Sequence, residues 1–213
     1  VRGMPGGRKM ILRGCDLSGL RAEKACFDGA ELLGCRFSRV RFAASSFSHA
    51  NLFGARFEDA DLRGVSFERA DLRGACLEGA NLLKANFAQA DLRPGEIITD
   101  KTKKKAYRGG PVSFAGASLK SANLSEARLK MASFAEAEIE NANLAQCDLR
   151  GVKFHKTRIA GTDLTGAHMS ETDFAGASLD DKARKTASLV YAVNAASAPS
   201  MAKINEILTL HEA

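Results

Sequence analysis

The sequence predicts an all-β solenoid, a chain wound into short stacked coils, and three observations predict it. Reading in steps of five from Leu12 to Leu92, 16 of 17 positions are Leu or Phe, with Ala22 the exception. Two residues before each of these sits a small or modest side chain, as at Cys15, Ala25, Ala30, Cys35, Val40, Ser45 and onward to Ala90. The composition carries the same signal: of 12 Phe, 11 fall on the recurrent position and only Phe53 stands outside it, while the 213-residue chain has no Trp. Repetition on this scale outranks any local motif.

A step of five fits neither the 3.6 of a helix nor the 2 of a strand. Two inward residues of unequal size, separated by one outward residue, are strand-like, and the remaining two residues turn a corner. Four corners close a roughly square coil of 20 residues, although the spacing by itself tolerates three or five. Coils stacked by parallel backbone pairing rise about 4.8 Å each. A large central side chain on the axis and a small one near each corner satisfy close packing in a narrow tube.

A second array runs in the same step from Phe114 through Leu119, Leu124 and Leu129 to Phe174 and Leu179, with small partners from Ala117 to Ala177. Leu92 to Phe114 is 22 residues, which is not a multiple of five, so the phase breaks once, within 93–111. The expected organisation is a first array at 10–92, a basic loop insertion at 93–111, a second array at 112–180, and a helical C-terminal cap or start of a linker at 181–213.

The strings ADLRG (60–64 and 70–74), ANLFGARF (50–57), ANLLKANF (80–87), SANLSEARL (121–129) and GTDLTGAHM (161–169) resemble the pentapeptide-repeat family, whose unit is roughly A-(D/N)-L-x-x. The resemblance covers about residues 10 to 180. It implies a right-handed quadrilateral β-helix with four units per coil, interrupted here by a loop and followed by C-terminal helices. The rod would then be roughly 35–40 Å long, at about 4.8 Å per coil.

Pro94-Gly95 and Gly109-Gly110-Pro111 punctuate the two ends of the interruption, as expected of a loop leaving and rejoining a scaffold. Residues 181–196 read as helix, with Leu189, Val190 and Val193 as an apolar stripe. Ser197-Ala198-Pro199 breaks it, and Ser200 caps a second helix bearing Ile204, Ile207, Leu208 and His211. An open β-helix end exposes unpaired backbone, so capping is the first role expected of this tail and pairing of two copies the second.

With a 20-residue coil, residues 20 apart stack. Arg13, Leu33, Phe53, Arg73 and Arg93 then form one outward column, in which Leu33 over Phe53 is an apolar surface pair. Arg21 over Arg41 and Arg36 over Arg56 place like charges together. The formal net charge of +6 is unevenly spread: residues 1–92 carry +3, 93–111 carry +4, 112–179 carry −1 and 180–213 carry zero. Candidate partner-binding residues are therefore Leu33, Phe53 and Arg73 on the rod, and Lys101, Lys103, Lys104, Lys105, Tyr107 and Arg108 in the insertion.

Nothing in the sequence supplies an enzyme's convergent nucleophile, acid and base. His49, His155, His168 and His211 share no ligand spacing with the cysteines, and no phosphate-binding loop occurs, so neither catalysis nor a cofactor or metal is expected. Five cysteines without paired spacing read as reduced thiols of a cytoplasmic protein, Cys15 and Cys35 lying one coil apart in the core. No apolar run approaches the roughly 20 residues that span a bilayer, so membrane insertion is not expected. The reading is a non-enzymatic rigid scaffold that binds protein, with direct nucleic-acid contact disfavoured. Two alternatives stand beside it. Some members of the resembling family mimic duplex DNA and protect type II topoisomerases, a role that needs continuous acidic columns; the local cluster Glu126, Glu136, Glu138 and Glu140 is short. The chain also fits a structural module of a larger protein.

Overall fold

The computed structural model describes residues 10–96, 98–100, 105–107, 110–181 and 183. Its two arrays wind into one solenoid. Parallel bridges link residues 20 apart at every fifth position, from Ile11↔Glu31 and Asp16↔Arg36 onward. Four units therefore make one coil, which removes the choice of three or five corners.

The unit at Asn51–Ala55 shows why the step is five. Leu52 donates its N–H to Asp71 O at 2.7 Å and Gly54 to Arg73 O at 2.9 Å, both in the next coil, while Asn51 donates to Ala30 O at 2.8 Å in the coil before. Ala55 closes the corner by donating to Leu52 O at 2.9 Å. The N–H of Phe53 is left over, and the Asn51 side chain accepts it at 3.1 Å. All five main-chain donors are satisfied, as a tightly wound chain requires. The Asp or Asn of the repeat is thus an Asx acceptor for the N–H two residues on, an arrangement repeated at Asp61, Asp71, Asn86, Asn123 and Asp148.

Each corner places its third residue in the left-handed region with only that residue at positive φ, the pattern of a type II turn. Glycine holds this place at Gly54 (φ 63°), but Lys24, Glu136 and Met131 also adopt it, at φ 56°, 59° and 61°. The repeated interlocking of coils enforces a conformation that those side chains disfavour.

Four faces follow, named by their central residues. Face 1 is centred on Leu12, Leu32, Leu52, Leu72, Leu92, Leu129, Leu149 and Met169; face 2 on Leu17, Phe37, Phe57, Leu77, Phe114, Phe134, Phe154 and Phe174. Face 3 begins with Ala22 and Phe42, and face 4 with Phe27, Phe47, Phe67 and Phe87. The rings stack up the axis. Phe27, Phe47, Phe67 and Phe87 follow one another at 4.7, 5.3 and 4.9 Å. In the second array Phe114, Phe134, Phe154 and Phe174 do so at 4.7, 5.3 and 5.1 Å. Polar residues at the small inward position reach a carbonyl one coil away: Thr157 donates to Phe134 O at 2.7 Å and Thr162 to Ile139 O at 2.7 Å. Cys147 donates in the same way to Leu124 O at 2.9 Å.

Across the interruption the bridges become 37 residues apart, as in Cys76↔Ser113 and Asp91↔Arg128. The excess over 20 is 17 residues, extruded from one corner while the stack continues. The neck of the insertion is pinched by Gly95 N–H donating to Gly110 O at 2.9 Å. Beyond it β1 (Ile98–Asp100) pairs antiparallel with β2 (Lys105–Tyr107), Ile98 opposite Tyr107. At the C-terminal end Asp180 accepts the N–H of Ala183 at 2.8 Å, and Asp181 and Ala183 are helical. The remainder of the tail, with both expected helical stripes and the pairing expected of them, lies outside the described residues.

Candidate interaction face

Face 1 carries one outward column rich in cations. Its residues just after the central position form the column Arg13, Leu33, Phe53, Arg73, Arg93, Lys130, Arg150 and Ser170, continuous through the insertion because Asp91 bridges Arg128. The insertion leaves from this same face, immediately after Arg93.

Three of these arginines, and Arg63 on face 3, are braced by an aspartate two residues earlier. In Asp61–Arg63, Asp71–Arg73, Asp91–Arg93 and Asp148–Arg150, one carboxylate oxygen accepts from Nε and the other from a terminal guanidinium nitrogen, at 2.6 to 2.9 Å. The ADLRG string is therefore a self-contained ion pair in fork geometry. Hydrogen bonds from Arg63 and Arg150 hold the Asp61 and Asp148 carboxyls below their ordinary range. At Asp91 burial pushes upward, but the bonds from Arg93 outweigh it and the net direction is down. Arg13 pairs with Glu31 one coil above. Arg73, Arg93 and Arg150 are in ion pairs, and Lys130 is in none among the described residues.

Phe53 is a correction to the sequence reading. It points away from the axis, as its position requires, yet it is 1% exposed and is no open surface contact. The Arg73 guanidinium one coil above lies over its ring, 5.6 Å from the centroid, in cation–π geometry. The root of the insertion comes down beside it. Arg73, Arg93, Pro94, Glu96, Lys130 and Met131 join Phe53 around a groove of about 440 Å³. Leu33, the expected apolar companion, is half-buried.

Arg73 thus meets Phe53 as part of one surface. Lys105 and Tyr107 lie on β2, and Lys101, Lys103, Lys104 and Arg108 lie outside the described residues. Lys130 and Met131 were missed because their column is displaced by 17 residues; carrying Arg93 forward by 37 instead of 20 would have found Lys130.

Among the described residues no cluster of His, Cys, Asp and Glu is placed to hold a metal. The described cysteines are free thiols. Burial pushes Cys147 up to about 12 and Cys76 up to about 11, which keeps both protonated and poorly nucleophilic.

A family model described as a pentapeptide repeat region matches residues 10–87 and 111–183. Solved structures similar to the chain include a trypsin-treated form of QnrB1, a plasmid-mediated fluoroquinolone resistance protein, at 20% identity and a TM-score of 0.45, covering 87% of this chain and 95% of that one. HetL, a pentapeptide repeat protein involved in heterocyst differentiation regulation in the cyanobacterium Nostoc sp. strain PCC 7120, is 23% identical with a TM-score of 0.28, covering 81% of this chain and 92% of that one. A pentapeptide repeat protein from the Arabidopsis thaliana thylakoid lumen is 27% identical with a TM-score of 0.31, covering 59% and 75%. No curated protein matches the chain. The matched model spans both arrays and stops on either side of the insertion, and the chain belongs to the pentapeptide-repeat family.

Proposed function

We propose that this protein is a non-enzymatic rigid scaffold that binds another protein through face 1 and the insertion beside it. The observation that carries this reading is the coincidence of three features on one face. These are the cationic column ending in Lys130 and Arg150, the groove around Phe53, and the neck at Gly95 and Gly110. A rigid stack that positions a projecting segment is a common way to place binding residues. The complementary partner is a protein surface that is acidic and carries an apolar side chain for the groove. Protein is favoured over nucleic acid because Arg73, Arg93 and Arg150 are already forked onto their own aspartates, which dilutes the phosphate-binding charge.

The columns lend no support to mimicry of duplex DNA. Among the described residues no outward column holds more than two acidic side chains in succession, as at Asp71–Asp91 and Glu58–Glu78. Free thiols suit a reducing compartment, which favours the cytoplasm. No helix among the described residues is long and apolar enough to cross a membrane.

The test is quantitative capture from native extract. It compares the intact chain, a variant with 96–108 replaced by Gly-Ser, and the triple variant Arg73→Glu, Lys130→Glu, Arg150→Glu. A protein retained by the intact chain and lost from both variants supports the assignment. Equal retention by all three overturns it.

A further inference from the structure

Two stretches of the chain carry the same charge pattern and land on the same edge of the rod. RFSRVR (36–41) and KFHKTR (153–158) each place one cation before a face 2 phenylalanine, one at the corner that follows and one at the start of face 3. Successive bridges join the two. On face 2 they run from Arg36 through Arg56, Cys76, Ser113 and Ser133 to Lys153. On face 3 they run from Arg41 through Asp61, Asn81, Ser118 and Glu138 to Arg158. Arg39 and Lys156 hold the corner between the faces, at φ 58° and 54°. The two triads therefore stand five coils apart, roughly 24 Å along one edge. In the other described coils the same positions hold one cation at most.

All six side chains are exposed. Among the described residues Arg36, Arg39, Arg41, Lys153 and Lys156 enter no ion pair, while Arg158 is held by Glu138 and Glu140. Folding does not call for the lower triad: Arg36 is bridged to Arg56 and Arg41 to Arg21, and like charges on neighbouring strands destabilise. A groove of about 530 Å³ opens beside Arg39 and Arg41, with Asp59 and Asn81 among its other walls. Between the triads the edge is low and uncharged, built from Cys76, Gly79, Asn81, Ser113, Gly116 and Ser118. An added Cβ on Gly116 would meet nothing within 4 Å.

We propose that this edge binds an extended acidic protein segment bearing two acidic clusters about seven residues apart. An extended chain advances about 3.4 Å per residue, so seven residues span the distance between the triads. Each triad alone is a weak site, and a segment that reaches both gains by linkage. Charge complementarity favours protein over nucleic acid. One coil above Arg41 stands Asp61, and one coil below Arg158 stands Glu138, with Asp59 and Glu136 at the adjoining corners. A backbone with a phosphate at every nucleotide would lie against these carboxylates, whereas a protein segment can leave those places uncharged. The edge shares no residue with the face 1 columns, so this assignment and the one made there fail independently.

Fluorescence anisotropy at low ionic strength tests this with three labelled probes: the peptide EEEGSGSEEE, the peptide GSEEEEEEGS of the same composition, and a decamer of thymidylate. The first peptide sets its two clusters seven residues apart and should bind tightest, by at least about fivefold over the second. Two variants remove the triads separately: Arg36→Ser, Arg39→Gly, Arg41→Ser at the lower, and Lys153→Ser, Lys156→Gly at the upper. Ser113, Gly116 and Ser118 already hold the same places in another coil, and Arg158 keeps its ion pairs, so thermal melts should show both variants folded. Each variant should weaken EEEGSGSEEE at least about tenfold and abolish its preference over GSEEEEEEGS. No binding by the unaltered chain, equal affinity for the two peptides, a preference that survives either variant, or tighter binding of the oligonucleotide would each overturn the proposal.

Discussion

Phe87 and Phe114 meet edge to face, their ring centroids 5.8 Å apart and their planes at 86°. They are the last ring of the face 4 stack and the first ring of the second face 2 stack, with the insertion between them in sequence. The core therefore passes the interruption in contact, and only the surface records it.

That contact predicts that the insertion is dispensable for folding. Excising 94–110 leaves Arg93 joined to residue 111 and restores a five-residue step between Leu92 and Phe114. Pro111 then occupies a positive-φ corner its ring forbids, so the excision is paired with Pro111→Gly. Circular dichroism should be unchanged and the melting temperature within a few degrees of the intact chain, roughly the effect of 1 kcal/mol or less. A collapse of the melt would make the insertion part of the core.

The Phe stack should be a major source of stability in the second array. Phe134 lies between Phe114 and Phe154, at 4.7 and 5.3 Å. Phe134→Ala should cost about 3–5 kcal/mol in denaturant unfolding, and Phe134→Leu clearly less, because Leu fills the same position on face 1 of every coil but the last.

Corner strain should be separable from packing. Glu136 is exposed at φ 59°, so Glu136→Gly should stabilise the chain by about 0.5–1 kcal/mol. Gly116, at φ 65°, has nothing within 4 Å of an added Cβ, so Gly116→Ala should cost about 1 kcal/mol through backbone strain alone. Opposite shifts of the denaturant midpoint are the expected reading.

The forked aspartates should shape acid stability. Asp61, Asp91 and Asp148 have folded pKa values below the ordinary 3.8. Their contribution is complete above that value and disappears as pH falls through the lower folded values. Thermal melts should therefore hold from neutral pH to about 4 and decline below it. The triple variant Asp61→Asn, Asp91→Asn, Asp148→Asn keeps each Asx acceptor and removes the charge, so its melting temperature should fall less steeply in acid. The pairs are largely solvent-exposed, so the difference should be modest.

Much of the fold was legible because the repeat writes its packing into the chain. A large side chain every five residues, with a small one two before it, identified the core positions from Leu12 to Leu179 and placed the break at 93–111. The Asp or Asn before the central residue recurs in the sequence, and the structure shows it accepting the N–H two residues on, as Asn51 does from Phe53. The site was less legible. Arg73 was placed in the correct column, but Lys130 and Met131 were hidden by the 17-residue displacement, and Phe53 was taken for an exposed ring.

The amino-acid sequence by itself determined the step, the core positions and the excess of positive charge around the insertion, because each is a property of spacing along the chain. The tertiary structure decided that four steps make a coil, that Arg93 stands beneath Lys130, and that Arg73 covers Phe53. Those are relations between residues 20 or 37 apart, and they exist only once hydrogen bonds between coils have set which residues stack.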